Sequence, residues 1–197
     1  MLACPRTVVS TPLNLHTALA IATATACLAC ACAPAAVAGR GVPATPREGV
    51  SIAVHDGDSF VLRTDDGQRV QIRISGIDAP EKSQPYADVS RRHLAQALRE
   101  RRLRIEPVKR DPYDRLVAKV LVDQGNVGLA DAGLAQIEAG MAWHFRRYAG
   151  DQPAGDRARY AQAERDARQA GSGLWQDPAP VAPWDFRAQA RANRPRN

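Results

Sequence analysis

Three short stretches hold the side chains best suited to chemistry: Asp56-Gly57-Asp58-Ser59, then Arg73-Ile74-Ser75-Gly76-Ile77-Asp78-Ala79-Pro80-Glu81, then Asp111-Pro112-Tyr113-Asp114-Arg115. Asp58 and Asp78 supply carboxylate oxygens of the kind calcium prefers, and the carbonyl of Ala79 offers a third hard ligand. Glu81 lies three residues beyond Asp78, past the stiff Pro80, where it could take a proton from a metal-held water. Arg73 and Arg115 carry planar guanidinium groups that grip phosphate oxygens through paired hydrogen bonds. Hydrolysis of a phosphodiester calls for this combination. Its transition state gathers negative charge on the phosphoryl oxygens, and a divalent cation with fixed donors stabilises that charge. Each stretch alone is commonplace: Asp-Gly-Asp is a frequent turn, and an arginine on the polar face of a strand is usually only solvated. Their occurrence in order, within 60 residues of a basic chain, makes a single site the stronger reading.

The elements between them must do the positioning. Val50, Ile52 and Val54 alternate with Ser51 and Ala53 and predict a strand. Residues 60 to 63 predict a second, with Asp65-Asp66-Gly67 as the turn into a third over 69 to 74. In that third strand Val70, Ile72 and Ile74 share one face, and Arg69, Gln71 and Arg73 the other. Residues 103 to 106 and 115 to 122 complete five strands. Helices are expected over 88 to 102, 128 to 139 and 156 to 170, the first with Val89, His93 or Leu94, and Leu98 on its apolar side. The fold class that follows is α+β, mainly β: a five-stranded Greek-key barrel of the oligonucleotide/oligosaccharide-binding (OB-fold) kind with three packed helices.

The ends read differently. Residues 13 to 33 are rich in Leu, Ala, Ile, Thr and Cys, and Ala36-Val37-Ala38 fits the small-x-small rule, so 1–38 is expected to be a signal peptide. Leu28-Ala29-Cys30 loosely matches a lipidation motif, a second route to the same envelope. The run is too Ala- and Thr-rich for a stable membrane span. All four cysteines fall within the first 32 residues, which excludes disulfide, zinc-thiolate and cysteine-nucleophile chemistry from the rest. Residues 39–48 read as a linker, 49–186 as the domain, and 187–197 as a basic disordered tail. The expected location is periplasmic or secreted, as a monomer. Net charge is +6, and Arg6 is the only charged residue before Arg40, so residues 39–197 carry +5. Such a chain attracts polyanions.

The three stretches resemble those of the staphylococcal nuclease (thermonuclease) family: Asp-Gly-Asp-Thr, an arginine followed by Val/Ile-Asp-x-Pro-Glu, then Tyr-Gly-Arg before a strand. The resemblance covers roughly residues 50 to 176, including Gly140-Met141-Ala142-Trp143 and Gly173-Leu174-Trp175. It implies a calcium-dependent enzyme that cuts DNA and RNA by attack of a metal-bound water, leaving 3′-phosphate products. Asp58, Asp78 and the Ala79 carbonyl would hold the calcium ion, with Asp56 an acid close by. Arg73 and Arg115 would bind the scissile phosphate, Glu81 would be the general base, and Tyr113 would contact a nucleotide phosphate. Ser59 and Ala79 each stand where the family has Thr, and Asp114 where it has Gly. The segment 82 to 87 is short beside the family's type member. Tyr148, in an aromatic and cationic run from Trp143, is a candidate base-stacking residue. His55, His93 and His144 are too scattered for a metal site, and Trp175 and Trp184 read as core plugs. A non-catalytic nucleic-acid-binding barrel of the cell envelope is the second reading.

Overall fold

The computed structural model describes residues 45–193. The expected signal peptide and lipidation motif, residues 39–44 of the linker, and residues 194–197 lie outside that span.

β1 (Arg47–Val54), β2 (Ser59–Thr64) and β3 (Arg69–Ile74) form an antiparallel meander. A two-residue β4 (Ile77–Asp78) follows directly. After helix α1 (Ala87–Leu98), β5 (Leu103–Arg110) pairs with β1 on one side and with β6 (Leu116–Asp123) on the other. β3 and β6 pair in parallel, Ile72 beside Leu116, and this contact closes five strands into a barrel. A short β7 (Leu129–Asp131) pairs antiparallel with the end of β6 and leads into α2 (Ala132–Glu138). β8 (Trp143–His144) pairs with β4 outside the barrel. Two further helices follow, α3 (Ala154–Gln169) and α4 (Pro183–Ala192). No helix among the described residues is long and apolar enough to cross a membrane.

Alternation explains the closure. Ile72 and Ile74 in β3, and Leu116, Ala118, Val120 and Val122 in β6, are buried, while the residues between them are half-exposed. Phe60, Leu62, Leu103 and Ile105 join them, and Leu94, Leu98 and Ile137 cap the barrel from α1 and α2. Truncating Ile72 to alanine would cost about 2–5 kcal/mol in urea unfolding, because both transfer and cavity costs fall on a fully buried site. A separate cluster holds Trp143, Ala167, Leu174, Trp175 and Ala182, with Tyr86 and Trp184 against it.

Several local expectations change. A bulge at Ile52 breaks the alternation of β1, leaving that side chain exposed. Ser90, not Val89, is the buried partner of Leu94 and Leu98 in α1. β5 runs on past Pro107, because a bulge there tolerates the missing N–H. β1 begins at Arg47, inside the expected linker, and α4 covers residues up to Ala192, so the first part of the expected tail is helix.

Candidate active site

The loop from β1 to β2 is built by its own acids. The Asp56 carboxylate accepts from the backbone N–H of Asp58 at 3.0 Å and from the Ser59 hydroxyl at 2.8 Å. Any hydroxyl residue at position 59 would serve there. Gly57 packs where a Cβ would lie 1.8 Å from Ser90 Oγ and 2.8 Å from Ala79 Cβ, and Gln136 Nε2 donates to its carbonyl at 2.6 Å. The buried Ser90 and Gln136 thus press this turn against the start of the loop carrying Glu81. Gly76, with φ of +77°, lies against Gln152 with no room for a Cβ. This tight turn sends the chain from β3 into β4.

Asp58 and Asp78 meet as a result. Asp58 is 5% exposed and Asp78 2%. Asp58 Oδ2 accepts from the Ala79 N–H at 2.6 Å. One terminal nitrogen of Arg73 lies 3.1 Å from Asp58 Oδ2 and 3.0 Å from Asp78 Oδ1, so a single guanidinium bridges both acids. Its other terminal nitrogen donates to the Ile74 carbonyl at 2.8 Å and fixes the plane.

The sequence reading missed Arg187. This α4 side chain donates to Asp78 Oδ1 and Oδ2 at 3.2 and 2.7 Å, and to Glu81 Oε1 at 2.5 Å. Glu81 is therefore drawn to the same cluster, and its N–H donates to Gln84 Oε1 at 2.8 Å. Gln84 in turn donates to the Val181 carbonyl at 3.0 Å. The short segment after Glu81 is a compact turn pinned to the approach of α4. A helical signal was present: Pro183 in the first turn, Asp185 beside it and Arg191 in the last turn.

Arg115 stands apart. It makes no ion pair with Asp58, Asp78 or Glu81 among the described residues; its Nε donates to Asp111 Oδ2 at 2.7 Å. Asp111 Oδ1 also accepts the N–H groups of Tyr113 and Arg115, both at 3.0 Å. Asp111, named in the third stretch but given no role there, is thus the residue that orients Arg115. Arg73 lies beside Val117 in the parallel ladder, and Arg115 precedes Val117 by two residues, which puts both arginines on one face. The terminal nitrogens of Arg115 have no partner among the described residues. Asp114 adopts φ of +63°, where aspartate is tolerated in place of glycine, and its carboxylate faces Arg110 at 3.3 Å, not Arg115. Tyr113 is 80% exposed, with Arg115 against its ring. Tyr148 is 44% exposed and lies under Lys109.

The charges suit a hard cation. Asp58, Asp78 and Glu81 pair with the two guanidinium groups of Arg73 and Arg187, and Asp56 adds a fourth carboxylate beside Asp58. Burial pushes the Asp58 carboxyl well above its usual range; Asp56 and Asp78 add to this, and Arg73 and the Ala79 N–H only partly offset it. The cluster is short of positive charge and rich in carboxylate oxygen, the donor set a calcium ion takes. No group of three or more His, Cys, Asp and Glu side chains forms a metal cluster among the described residues, so a cation here would rest on two carboxylates and backbone or water oxygens.

Comparison with known proteins places the chain in a family. The family model described as staphylococcal nuclease homologue matches residues 71–177, a span that holds Arg73, Asp78, Glu81 and Arg115 but neither Asp58 nor α4. An uncharacterized endonuclease of Haemophilus influenzae is 30% identical over 142 residues, covering 72% of this chain and 74% of that protein. A micrococcal nuclease of Shigella flexneri is 28% identical over 147 residues, 73% of this chain and 82% of its own. A probable endonuclease of Verticillium alfalfae is 33% identical over 135 residues, 64% of this chain, and there the match spans about half of the relative, 47%. The family model covers more than half of the chain and the Haemophilus relative most of it, so this protein belongs to the staphylococcal nuclease family.

Proposed function

We propose that this chain is a calcium-dependent nuclease that hydrolyses phosphodiester bonds of DNA or RNA and leaves 3′-phosphate ends. The reading is carried by one observation: Arg73 bridges two buried acids, Asp58 and Asp78, and Arg187 ties Asp78 to Glu81. The Asp58 and Asp78 carboxylates and the Ala79 carbonyl would hold the calcium ion, which neutralises phosphoryl charge and orients the attacking water. Glu81 would serve as general base toward a water, and to do so would exchange its contact with Arg187 for one with that water. Arg73 and Arg115 donate to the phosphoryl oxygens, tightening as charge develops. Asp111 holds the Nε side of Arg115 and leaves the terminal nitrogens for phosphate. Tyr113 and Tyr148 offer exposed rings to the flanking nucleotides. The leader over 1–38 supports export to the periplasm or medium.

The test is cleavage of DNA and RNA by the purified chain with calcium, with a chelator, and in Glu81→Gln. Calcium-dependent cutting that is abolished by chelation and drops by orders of magnitude in Glu81→Gln is expected. Tight binding without cleavage, indifferent to Glu81→Gln, would instead make the chain a binding module.

A further inference from the structure

A partly open cavity of about 500 Å³ lies beyond β8, between the 145–147 segment, α3 and α4. Its walls carry four guanidinium groups, from Arg146, Arg147, Arg165 and Arg168, and two apolar rings, Phe145 and Trp184. Glu164 is the one carboxylate there. It is 2% exposed and already accepts from the His144 N–H and Arg146 at 3.1 Å each, with Arg168 at 3.5 Å. Arg168 is further occupied by the face of Trp175, 3.9 Å from the ring centre. Arg147 and Arg165 have no carboxylate partner among the described residues. The cavity therefore keeps a positive excess. His144 also lines it, is 4% exposed, and has an Nδ1 with no hydrogen-bond partner.

The rings add a second requirement. Phe145 and Trp184 stack with centroids 5.4 Å apart and planes 8° from parallel. Tyr148 stands edge-on to Phe145 at 5.1 Å, so the aromatic surface continues from the exposed tyrosine into the cavity. An occupant that uses both features offers negative charge and flat rings together; a phospholipid headgroup has no ring, and a peptide does so only where acidic and aromatic residues alternate. A nucleic-acid strand offers both along its length.

The location fits such a strand. Trp143 and His144 pair with Asp78 and Ile77, so the cavity begins one ladder step from the acid cluster. α4 places Trp184 at the cavity and Arg187 on Asp78, three residues and about 4.5 Å of helix rise apart. Trp184 lies beyond the residues matched by the family model.

We propose that this cavity is a second nucleic-acid site, which holds phosphate and base of a single strand whose neighbouring phosphate lies at the acid centre. The strand's role as substrate rests on the nuclease reading. Arg147 and Arg165 would supply the phosphate contacts and Trp184 the stacking face. Both arginines are exposed, so Arg147→Ala/Arg165→Ala should keep the fold, checked by an unchanged melting temperature.

The test is binding of a fluorescein-labelled oligothymidylate in chelator, followed by anisotropy over a range of salt. The double variant should bind at least tenfold more weakly, and its slope of log affinity against log salt should fall by about 1.4, for two lost single-strand phosphate contacts. The oligonucleotide should quench tryptophan emission in the wild type and lose most of that effect in Trp184→Phe, which keeps a ring in place. With calcium, KM for the oligonucleotide should rise in the double variant, while cleavage of a dinucleotide too short to span both sites stays the same. If the wild type cuts while the double variant binds with wild-type affinity and slope, the cavity proposal is overturned and the nuclease reading stands. If the wild type cuts nothing, the nuclease reading is overturned, and the salt slope and quenching still decide the cavity.

Discussion

Arg73 and Arg115 are assigned the same task but are held by different means. Arg73 is side-chain 13% exposed and neutralises two buried carboxylates that the barrel cannot hold apart. Arg115 is side-chain 28% exposed and is aimed by one acid, Asp111, four residues back in its own loop. The first arginine is part of the structure as well as of the proposed chemistry; the second has a place in the proposed chemistry alone. Residues that look equivalent in sequence can thus differ in what their loss does to the fold.

The widest separation should come from truncating each. Arg73→Ala and Arg115→Ala should both lower turnover by two or more orders of magnitude, as loss of a transition-state donor does. Only Arg73→Ala should also destabilise strongly, by about 3–5 kcal/mol in urea unfolding, because it leaves the buried Asp58 without a counter-charge and Asp78 with Arg187 alone. Equal stability of the two variants would erase the contrast. Gly57→Ala tests the loop that brings Asp58 to Arg73. The added methyl meets Ser90 and Ala79, so a loss of about 1–3 kcal/mol is expected, with activity falling alongside. Asp111→Ala should act on the Arg115 side only, lowering kcat roughly tenfold with little change in melting temperature, since an orienting contact is lost rather than a charge from the core.

A subtler effect belongs to Arg187. It occupies both oxygens of Asp78 and one of Glu81. Arg187→Gln should therefore raise calcium affinity several-fold in calorimetry, and unchanged affinity would mean that Arg187 does not compete with a cation. The smallest effect concerns pH. Burial holds the His144 imidazole below its ordinary 6.5. The unfolded chain then takes up the proton first as pH falls through 6.5, so this residue removes stability on the acid side and none above it. Melting temperatures of the wild type and His144→Gln should differ less at pH 5 than at pH 7.5.

Much of this was legible because it is local and periodic. The alternation in β3 and β6 marks both the core and the face that carries Arg73, and the Asp78 to Glu81 spacing marks the strand exit. The bulge at Ile52 was not legible, since an added residue leaves the apolar pattern intact while turning its side chain outward. Ser90 escaped notice because its burial depends on meeting Gly57 and the Met141 carbonyl, contacts distant in sequence. Arg187 was hidden by composition. An Ala- and Arg-rich terminus resembles a solvated tail, and only its pairing with acids more than 100 residues earlier makes the helix part of the site.

The central claim is that Asp58 and Asp78 form one cation-binding centre. Calorimetric titration of the wild type, Asp58→Asn and Asp78→Asn with calcium at neutral pH tests it most directly. One calcium ion per chain in the wild type, with binding weakened at least tenfold in each variant, is the predicted result. A wild type that binds no calcium, or an Asp78→Asn variant that binds it unchanged, would contradict the account.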